Sequence, residues 1–311
     1  MPGAIRRRVL SITAAGAACL GLSGPGLAPL RHQWQGSALG ASASLTLYDP
    51  DPRRARRLIE QALAEIDRLD AIFSLQRSES AIGRLNRTGS LARPPLDLLT
   101  VLEAATRVSD LSEGAFDATV QPLWRAFAMA GGPSLREVER AAALVDWRAV
   151  EASAKRVALG RPGMAITLNG IAQGYVTDRV ADLLRDAGLD HALVALDEQR
   201  ALGTRPDGRP WRLASELGTI SLMGDALAIS GPAPAVAGTS LPHLIDPKAA
   251  RPAAPPSPVA VVAPLAMLAD GLSTALAAAD GETRARIATR LPGLQATWRS
   301  TQTIHRSDSD R

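Results

Sequence analysis

Two oxygen-bearing side chains, Asp270 and Thr274, stand four residues apart in the segment LADGLSTALA (residues 268–277), among small apolar residues. We expect this segment to be a helix bound for the interior. At about 3.6 residues per turn, both side chains then lie on one face, one turn apart. Two hard oxygen donors that converge on one point indicate a hard cation. The alternatives are a carboxylate at a fraying helix end and a threonine hydroxyl that bonds back to the carbonyl of residue 270.

The composition restricts the kinds of site and partner that the chain can have. Its 311 residues, 46% of them hydrophobic, are enough to bury a substantial core in one large domain or two smaller ones. The one cysteine, Cys19, excludes a disulfide, and the four dispersed histidines exclude a zinc motif, so any metal ion must be held by oxygen. The formal net charge is only +4, aromatic residues make up 3%, and the basic residues are scattered, so we expect no nucleic-acid partner.

The N-terminal segment RRRVLSITAAGAACLGLSGPGLA (residues 6–28) has an arginine cluster, a moderately apolar run, and then glycine and proline. This run is too short and too rich in alanine and glycine for a permanent membrane anchor, and it is typical of a secretory signal. Its arginine pair followed by Val-Leu resembles a twin-arginine signal, whose pathway exports folded proteins; the alternative is an ordinary export signal with one extra arginine. We expect a leader over residues 1–33, no permanent transmembrane span in the mature chain, and a periplasmic location.

Periodicity predicts the elements that must position the two oxygen donors. Residues 38–51 alternate like a strand, and a long amphipathic helix follows from Asp51. A second helix is expected over residues 96–111, and Ser134 with Glu137 forms a capping box for a third.

The second half of the chain predicts a different mixture of elements. Residues 164–188 read as a strand, a glycine turn and a long amphipathic helix, and residues 191–196 as a buried strand. A strand over residues 259–263 leads into the late helix, and residues 300–311 are polar and expected to be disordered. Strands and helices alternate irregularly, which favours an α+β fold over a doubly wound parallel sheet.

Five stretches together resemble, in order and at about the same spacing, the ApbE family of FAD:protein FMN transferases. They are FSLQRSESAIGRLN (residues 73–86), EGAFDATVQPLW (113–124), TLNGIAQGYVTDRVADLL (167–184), HLIDP (243–247) and ADGLSTAL (269–276). The resemblance covers residues 34–298, and we expect one domain over residues 34–299. It implies an ApbE-like α+β fold related to the T-fold, with mixed sheets flanked by helices and an FAD site between two subdomains.

The resemblance also implies a reaction. Family members bind FAD and Mg²⁺, split the pyrophosphate, and move FMN onto a Thr or Ser hydroxyl of an acceptor protein, with release of AMP. The acceptor would be a flavoprotein of a membrane or periplasmic electron-transfer system. Two alternatives stay open: a flavin-binding or carrier protein that has lost transfer activity, and an FAD pyrophosphatase in which water replaces the acceptor hydroxyl.

By position, the resemblance assigns a Mg²⁺ site to the side chains of Asp270 and Thr274 and to the backbone carbonyl of Gly170. It makes Asp270 a catalytic residue together with His243, whose neutral imidazole would take the proton of the acceptor hydroxyl; the alternative is a histidine hydrogen-bonded within its turn. The remaining assignments are contacts to FAD, made by Leu39, Gln76, Ala115, Phe116, Asp117, Thr167, Gln173 and Leu244.

Neighbouring residues are expected to support the site. Thr119 supports the turn in GAFDATV, Asp246 shapes the turn before Pro247, and Asp178 lies where the family's helix packs on the flavin site. For Phe116 the alternative is plain packing in the core.

The chain departs from the usual residues of the family at several positions. Gln76 stands for a tyrosine, Thr167 for an aspartate that many members have, and Gln173 for a lysine or glutamate. Asp197 and Glu198 replace two glycines after the central strand, which places carboxylates where a backbone usually lies close to a ligand. We expect these changes on the adenine or pyrophosphate side of the site rather than at the helix that carries Asp270 and Thr274. They keep open the alternative in which FAD is bound but not cleaved.

Overall fold

The computed structural model describes residues 29–39, 41–129, 131–232, 244–255, 257–291, 294–299 and 304–307. Within these ranges the helices are α1 Pro52–Phe73, α2 Ala81–Thr88, α3 Leu96–Leu111, α4 Gln121–Phe127, α5 Leu135–Ala142, α6 Ala172–Asp186, α7 Ala266–Ala278 and α8 Gly281–Thr289. The strands are β1 Leu30–Ala38, β2 Ala41–Asp49, β3 Ser90–Ala92, β4 Val150–Ala152, β5 Arg156–Leu159, β6 Ala192–Leu196, β7 Glu198–Leu202, β8 Trp211–Ser215, β9 Gly218–Leu222, β10 Ala226–Ser230, β11 Ile245–Asp246, β12 Arg251–Pro252, β13 Val259–Ala263, β14 Gln295–Arg299 and β15 Ile304–Ser307. The predicted α+β fold is confirmed.

One eight-stranded sheet organises the molecule, in the order β1-β2-β6-β7-β10-β13-β14-β15. All of its recorded strand pairings are antiparallel. Three small antiparallel sheets, β3-β5-β4, β8-β9 and β11-β12, lie outside it. The helices α1, α6 and α7 pack on the large sheet, and the main hydrophobic core forms between them and its strands. The centre of the sheet therefore has a helix-covered face, against which the candidate site is built.

The ends of two predicted helices follow from their capping chemistry. Asp51 accepts a 2.8 Å hydrogen bond from the amide of Arg53, and Pro52 occupies the first position of α1, where its missing N–H costs nothing. Ser134 and Glu137 form the reciprocal capping box of α5. These helix starts confirm the predictions made from their residue types.

The segment MAITL, residues 164–168, is not the strand that its composition predicted. It runs alongside a side chain instead: the amide of Ile166 donates to Oδ1 of Asn86 at 2.7 Å, and Nδ2 of Asn86 donates to the carbonyl of Ile166 at 2.8 Å. The Asn86 side chain thus takes the place of a neighbouring strand for this residue. The helix that follows begins at Ala172, in the predicted segment.

Both ends of the described chain contain strands that the sequence did not predict. β1 begins at Leu30, inside the expected leader, and pairs along its whole length with β2. β15 lies inside the tail that was expected to be disordered, and it pairs with β14. The prediction of disorder is wrong for these four residues, because their backbone groups extend the edge of the large sheet.

None of the helices in the described ranges combines the length and apolar character needed to cross a membrane. The arginine cluster, Cys19 and the apolar run of the N-terminal segment precede residue 29 and lie outside the described residues.

Candidate functional site

The helices α6 and α7 cross at a glycine. A Cβ atom added to Gly174 would lie 2.6 Å from the carbonyl carbon of Ala266 and 2.7 Å from Cα of Met267, so a larger residue would collide with backbone. Gly174 is in the first turn of α6, where backbone amides have no partner within the helix. Its amide donates a 2.9 Å hydrogen bond to Oδ2 of Asp270 on α7. The glycine thus brings a free helix amide to a buried carboxylate.

Asp270 lies in the interior of α7, with only 3% of its surface exposed. Burial raises the pKa of Asp270 to about 8; the Gly174 amide opposes this shift, and the carboxylates of Asp197 and Asp178 add to it. The alternative of a carboxylate at a fraying helix end is therefore excluded. Burial and the neighbouring carboxylates both disfavour the charged form of Asp270, and a bound cation would stabilise that form.

Thr274 lies one turn further along α7, against the glycine turn before α6. A Cβ on Gly170 would lie 2.8 Å from Oγ1 of Thr274. It is Ser273, rather than Thr274, that donates to the carbonyl of Asp270, at 3.0 Å. The recorded hydrogen bond of the Thr274 hydroxyl is a long one, 3.4 Å, to Oγ of Ser230 on β10. The alternative in which Thr274 bonds back to the carbonyl of residue 270 is wrong, because Ser273 makes that bond and Thr274 contacts β10.

Asp178 fixes the start of α7. Its carboxylate accepts hydrogen bonds from the amides of Ala266, at 2.8 Å, and Met267, at 2.9 Å. It also forms a buried ion pair with Arg200 of β7. Burial raises the pKa of Asp178, although these hydrogen bonds and the guanidinium act in the opposite direction. Asp178 therefore positions the helix that carries Asp270 and Thr274.

Glu198 faces α6 and α7 from the sheet. Alternate residues of a strand share a face, and Arg200, two residues along β7, pairs with Asp178 on α6, so Glu198 lies on the same helix-covered face. Its side chain is buried, and its Oε2 atom has no hydrogen-bond partner among the residues that the structure describes. Burial, with the carboxylates of Asp270 and Asp197, raises the pKa of Glu198 well above its usual value.

This position corrects an expectation from the sequence. The replaced glycines were expected on the adenine or pyrophosphate side and away from the helix of Asp270 and Thr274, whereas Glu198 faces that helix. Asp197 forms the turn between β6 and β7 with a φ of 82°, a conformation that aspartate tolerates better than most residues. Nε2 of Gln173 lies 3.4 Å from Oδ2 of Asp197, so these two departures from the family pattern contact each other.

The GAFDATV element folds into a buried turn beside the TLNG segment. Oδ1 of Asp117 accepts from the amide of Thr119 at 2.7 Å and from its hydroxyl at 2.6 Å, as a capping residue does. Burial raises the pKa of Asp117. The amide of Thr167 donates to the carbonyl of Ala118 at 2.8 Å, which joins the two segments. Thr119 thus supports the turn in the way that was predicted.

The other predicted FAD contacts divide by burial. Ala115 and Phe116 are buried in the main core, which agrees with the core-packing alternative for Phe116. Leu39 and Leu244 are partly buried against the same core, and Gln76 is exposed. None of these positions tests a contact to FAD, so the five assignments stay predictions.

The turn around Asp246 is formed as predicted. Its Oδ1 atom accepts hydrogen bonds of 3.0 Å from the amides of Lys248 and Ala249. The predicted base, His243, lies outside the described residues.

The donor set fits a hard divalent cation. Asp270 offers a carboxylate, Thr274 a hydroxyl, and Gly170 a backbone carbonyl in the turn that contacts Thr274; all three are oxygen ligands of the kind that Mg²⁺ accepts. In the part of the chain that the structure describes, no three His, Cys, Asp or Glu side chains converge closely enough to hold a metal ion by themselves. Phosphate and water oxygens would therefore have to complete the coordination.

Sequence reasoning missed Ser230, Arg200 and the orientation of Glu198. Ser230 lies 2.7 Å from Oγ of Ser273 and so joins β10 to α7. LDEQRAL carries no alternation that could have found Glu198 and Arg200, because four polar residues follow one another there, and β7 is buried on both faces.

Comparison with known proteins relates this chain to one family. The family model for ApbE matches residues 39–298. An FAD:protein FMN transferase of Vibrio cholerae is 31% identical to this chain, over 68% of this chain and 71% of the relative. An FAD:protein FMN transferase of Salmonella typhimurium is 25% identical, over 80% of this chain and 78% of the relative. The apo form of the Pseudomonas stutzeri flavinyl transferase ApbE has a TM-score of 0.81 at 26% identity, covering 91% of this chain and 97% of that one.

A second solved structure, the flavin transferase ApbE from Vibrio cholerae, has a TM-score of 0.78 at 24% identity. It covers 90% of this chain and 98% of that one. At this identity the likeness concerns the fold alone. The family model spans most of the chain, and the Vibrio cholerae relative aligns with more than two thirds of it, so this chain belongs to the ApbE family.

Proposed function

We propose that this chain is a Mg²⁺-dependent FAD:protein FMN transferase that attaches FMN to a Thr or Ser of an acceptor flavoprotein and releases AMP. Relatives over most of its length carry the name FAD:protein FMN transferase. The observation that carries the proposal is the packing of the glycine turn and of the first turn of α6 against α7: Gly170 lies against Thr274, and the Gly174 amide donates to Asp270.

Asp270, Thr274 and the carbonyl of Gly170 would hold the cation. A bound Mg²⁺ supplies positive charge that neutralises the phosphate oxygens during displacement at phosphorus. The protein's part is to orient the donors. The Gly174 amide fixes Oδ2 of Asp270, and Asp178 fixes the first turn of α7. The close contact of Gly170 with Thr274 sets the distance between the glycine turn and the helix.

We further propose that His243 is the general base. Its imidazole nitrogen takes the proton of the acceptor hydroxyl as that oxygen attacks the phosphorus of the FMN moiety. The bond from this phosphorus to the bridging oxygen breaks, and AMP leaves with that oxygen. This role rests on the position of His243 in HLIDP and on a reference pKa near the working pH.

The cellular setting is part of the proposal. The arginine-rich, moderately apolar N-terminal segment supports export to the periplasm, with a twin-arginine signal as the proposed type. The acceptor would then be a flavoprotein of a membrane or periplasmic electron-transfer system.

The test is an acceptor assay. The purified protein is incubated with FAD, Mg²⁺ and a threonine-containing acceptor domain, and flavin fluorescence is measured on the denatured acceptor band. A fluorescent band that disappears with chelator supports the proposal. A dark band with FAD bound and intact would indicate a flavin carrier, and a dark band with AMP released would indicate a pyrophosphatase.

A further inference from the structure

Glu198 is a buried carboxylate with an unsatisfied oxygen. Only 6% of the residue is exposed, and within the described part of the chain Oε2 has no hydrogen-bond partner. A buried carboxylate oxygen without a donor costs free energy in the folded protein, because it has lost water and gained nothing in return. Such an atom at a ligand site indicates a partner that is bound there.

The strand register places Glu198 beside the cation site. Arg200 of β7 pairs with Ala226 of β10, so Ala226, Ser230 and the two charged residues of β7 share one face of the sheet. Ser230 on that face contacts both Ser273 and Thr274. Glu198 therefore faces the same helix, α7, that carries the proposed ligands.

The charges around Glu198 leave a deficit of positive charge. The groups that act on its carboxylate are themselves carboxylates, Asp270 and Asp197. The guanidinium on the same strand, Arg200, forms an ion pair with Asp178 through Nη1, and its buried Nε has no hydrogen-bond partner among the described residues. A divalent cation between Glu198 and Asp270 would both compensate this charge and satisfy the free oxygen.

We propose that Glu198 is an additional cation-binding residue, which places a second carboxylate beside Asp270 at the Mg²⁺ site. This inference rests on the cation site of the proposed function. Glu198, which stands where family members have a glycine, would then increase the affinity for the cation rather than contact the flavin. The site of this chain then carries one more negative charge than its other proposed ligands provide, and it should bind divalent cations more tightly as a result.

The experiment measures cation binding directly, without an acceptor. Isothermal titration with Mg²⁺, and with Mn²⁺ as a second probe, is done on the full protein with and without saturating FAD. We expect Glu198→Gln to weaken cation binding about tenfold or more. The matched control is Glu216→Gln, the same change at an exposed glutamate in the turn between β8 and β9. An affinity of Glu198→Gln within twofold of the wild type would overturn the inference, as would a wild type that binds neither cation.

Thermal unfolding gives a second readout that a merely structural role would not move. Without cation, Glu198→Gln should melt at or above the wild-type temperature, because a buried unpaired carboxylate has been removed. Added Mg²⁺ should raise its melting temperature less than that of the wild type. An equal rise in both proteins would contradict a ligand role. If Glu198→Gln fails to fold, Glu198→Asp and Glu198→Ala replace it. Glu198→Asp keeps the charge on a shorter side chain. Wild-type cation affinity in folded Glu198→Asp, together with about tenfold weaker binding in Glu198→Ala, supports the inference.

A variant of the main ligand separates the two claims. If Asp270→Ala loses cation binding while Glu198→Gln keeps it, only the role of Glu198 is wrong. If Asp270→Ala binds the cation as the wild type does, the cation site of the proposed function is wrong as well.

Discussion

The backbone amide of Gly174 donates a 2.9 Å hydrogen bond to the buried carboxylate of Asp270, ninety-six residues away in the sequence. This contact joins the first turn of α6 to the interior of α7. It leaves the second carboxylate oxygen of Asp270 to interact with other groups, and it holds the side chain in one orientation.

Asp270→Asn separates the charge of Asp270 from its shape. The amide oxygen of asparagine can still accept from Gly174, whereas the negative charge is gone, so we expect at least a 100-fold loss of Mg²⁺ affinity. The free energy of unfolding of the metal-free variant should be equal to or greater than that of the wild type, because asparagine is neutral in this buried position without the proton that Asp270 has to take up on folding. Titration calorimetry and urea unfolding measure the two effects. Asp186→Asn, at an exposed position of α6, is the control and should change neither.

Gly170→Ala tests the contact between the glycine turn and α7. The new methyl group would lie 2.8 Å from Oγ1 and 2.9 Å from Cγ2 of Thr274, so one of the two elements has to move. We expect a loss of about 1–3 kcal/mol in the free energy of unfolding and weaker cation binding. The double variant Gly170→Ala/Thr274→Ala removes the two nearest atoms and should recover part of the stability. Additive effects of the two substitutions in urea unfolding would show that they do not touch.

Asp178→Ala tests the support of α7. The change leaves the Arg200 guanidinium buried without its partner and removes the acceptor of two backbone amides. We expect a loss of about 3–5 kcal/mol in the free energy of unfolding, measured in urea. Adding Arg200→Met should restore part of it, because no unpaired charge then remains. A cost below about 1 kcal/mol for the single variant would mean that the ion pair does not hold the helix.

The pH dependence of cation binding follows from the pKa of Asp270. This pKa is raised from its ordinary value of 3.8 to about 8 in the folded protein. Between these values the folded protein holds a proton that the unfolded chain has lost, so the stability of the metal-free protein falls as the pH rises through this window. A cation has to displace that proton, so its affinity should increase up to about pH 8 and then level off.

Calorimetry from about pH 5 to 9 measures the cation affinity at each pH. Repeating each titration in buffers of different ionisation enthalpy gives the number of protons released on binding. Asp270→Asn provides the control, since its residual binding should lose this proton release. A wild-type affinity that is constant from about pH 5 to 8 would contradict the assignment of Asp270 as a ligand.

The helix of Asp270 and Thr274 could be predicted from residue types alone. Oxygen donors four residues apart in an apolar helix have to share a face, and the structure places both there. The contact of Gly170 with Thr274 could not be predicted from residue types alone, because the two residues lie in distant parts of the sequence. Only the family motif linked them. Local spacing therefore predicted the geometry within α7 but could not predict what packs against it.

The side of the site on which Glu198 lies was predicted wrongly for a physical reason. Its position was read from a glycine motif, whereas the side chain takes its direction from the alternation of β7, which buries Glu198 and Arg200 together. The strand predicted for residues 164–168 was wrong because hydrogen bonds from the Asn86 side chain replace a neighbouring strand. In this second case a long-range contact overrode the local pattern.

The most direct test of the central claim measures two products in one reaction. The wild type is incubated with FAD, Mg²⁺ and an acceptor domain, and AMP and acceptor-bound flavin are quantified together. We expect equal amounts of the two, and neither product with chelator or with Asp270→Ala. Release of AMP without flavin on the acceptor, or equal yields from the wild type and Asp270→Ala, would contradict the account of this protein as a cation-dependent FMN transferase.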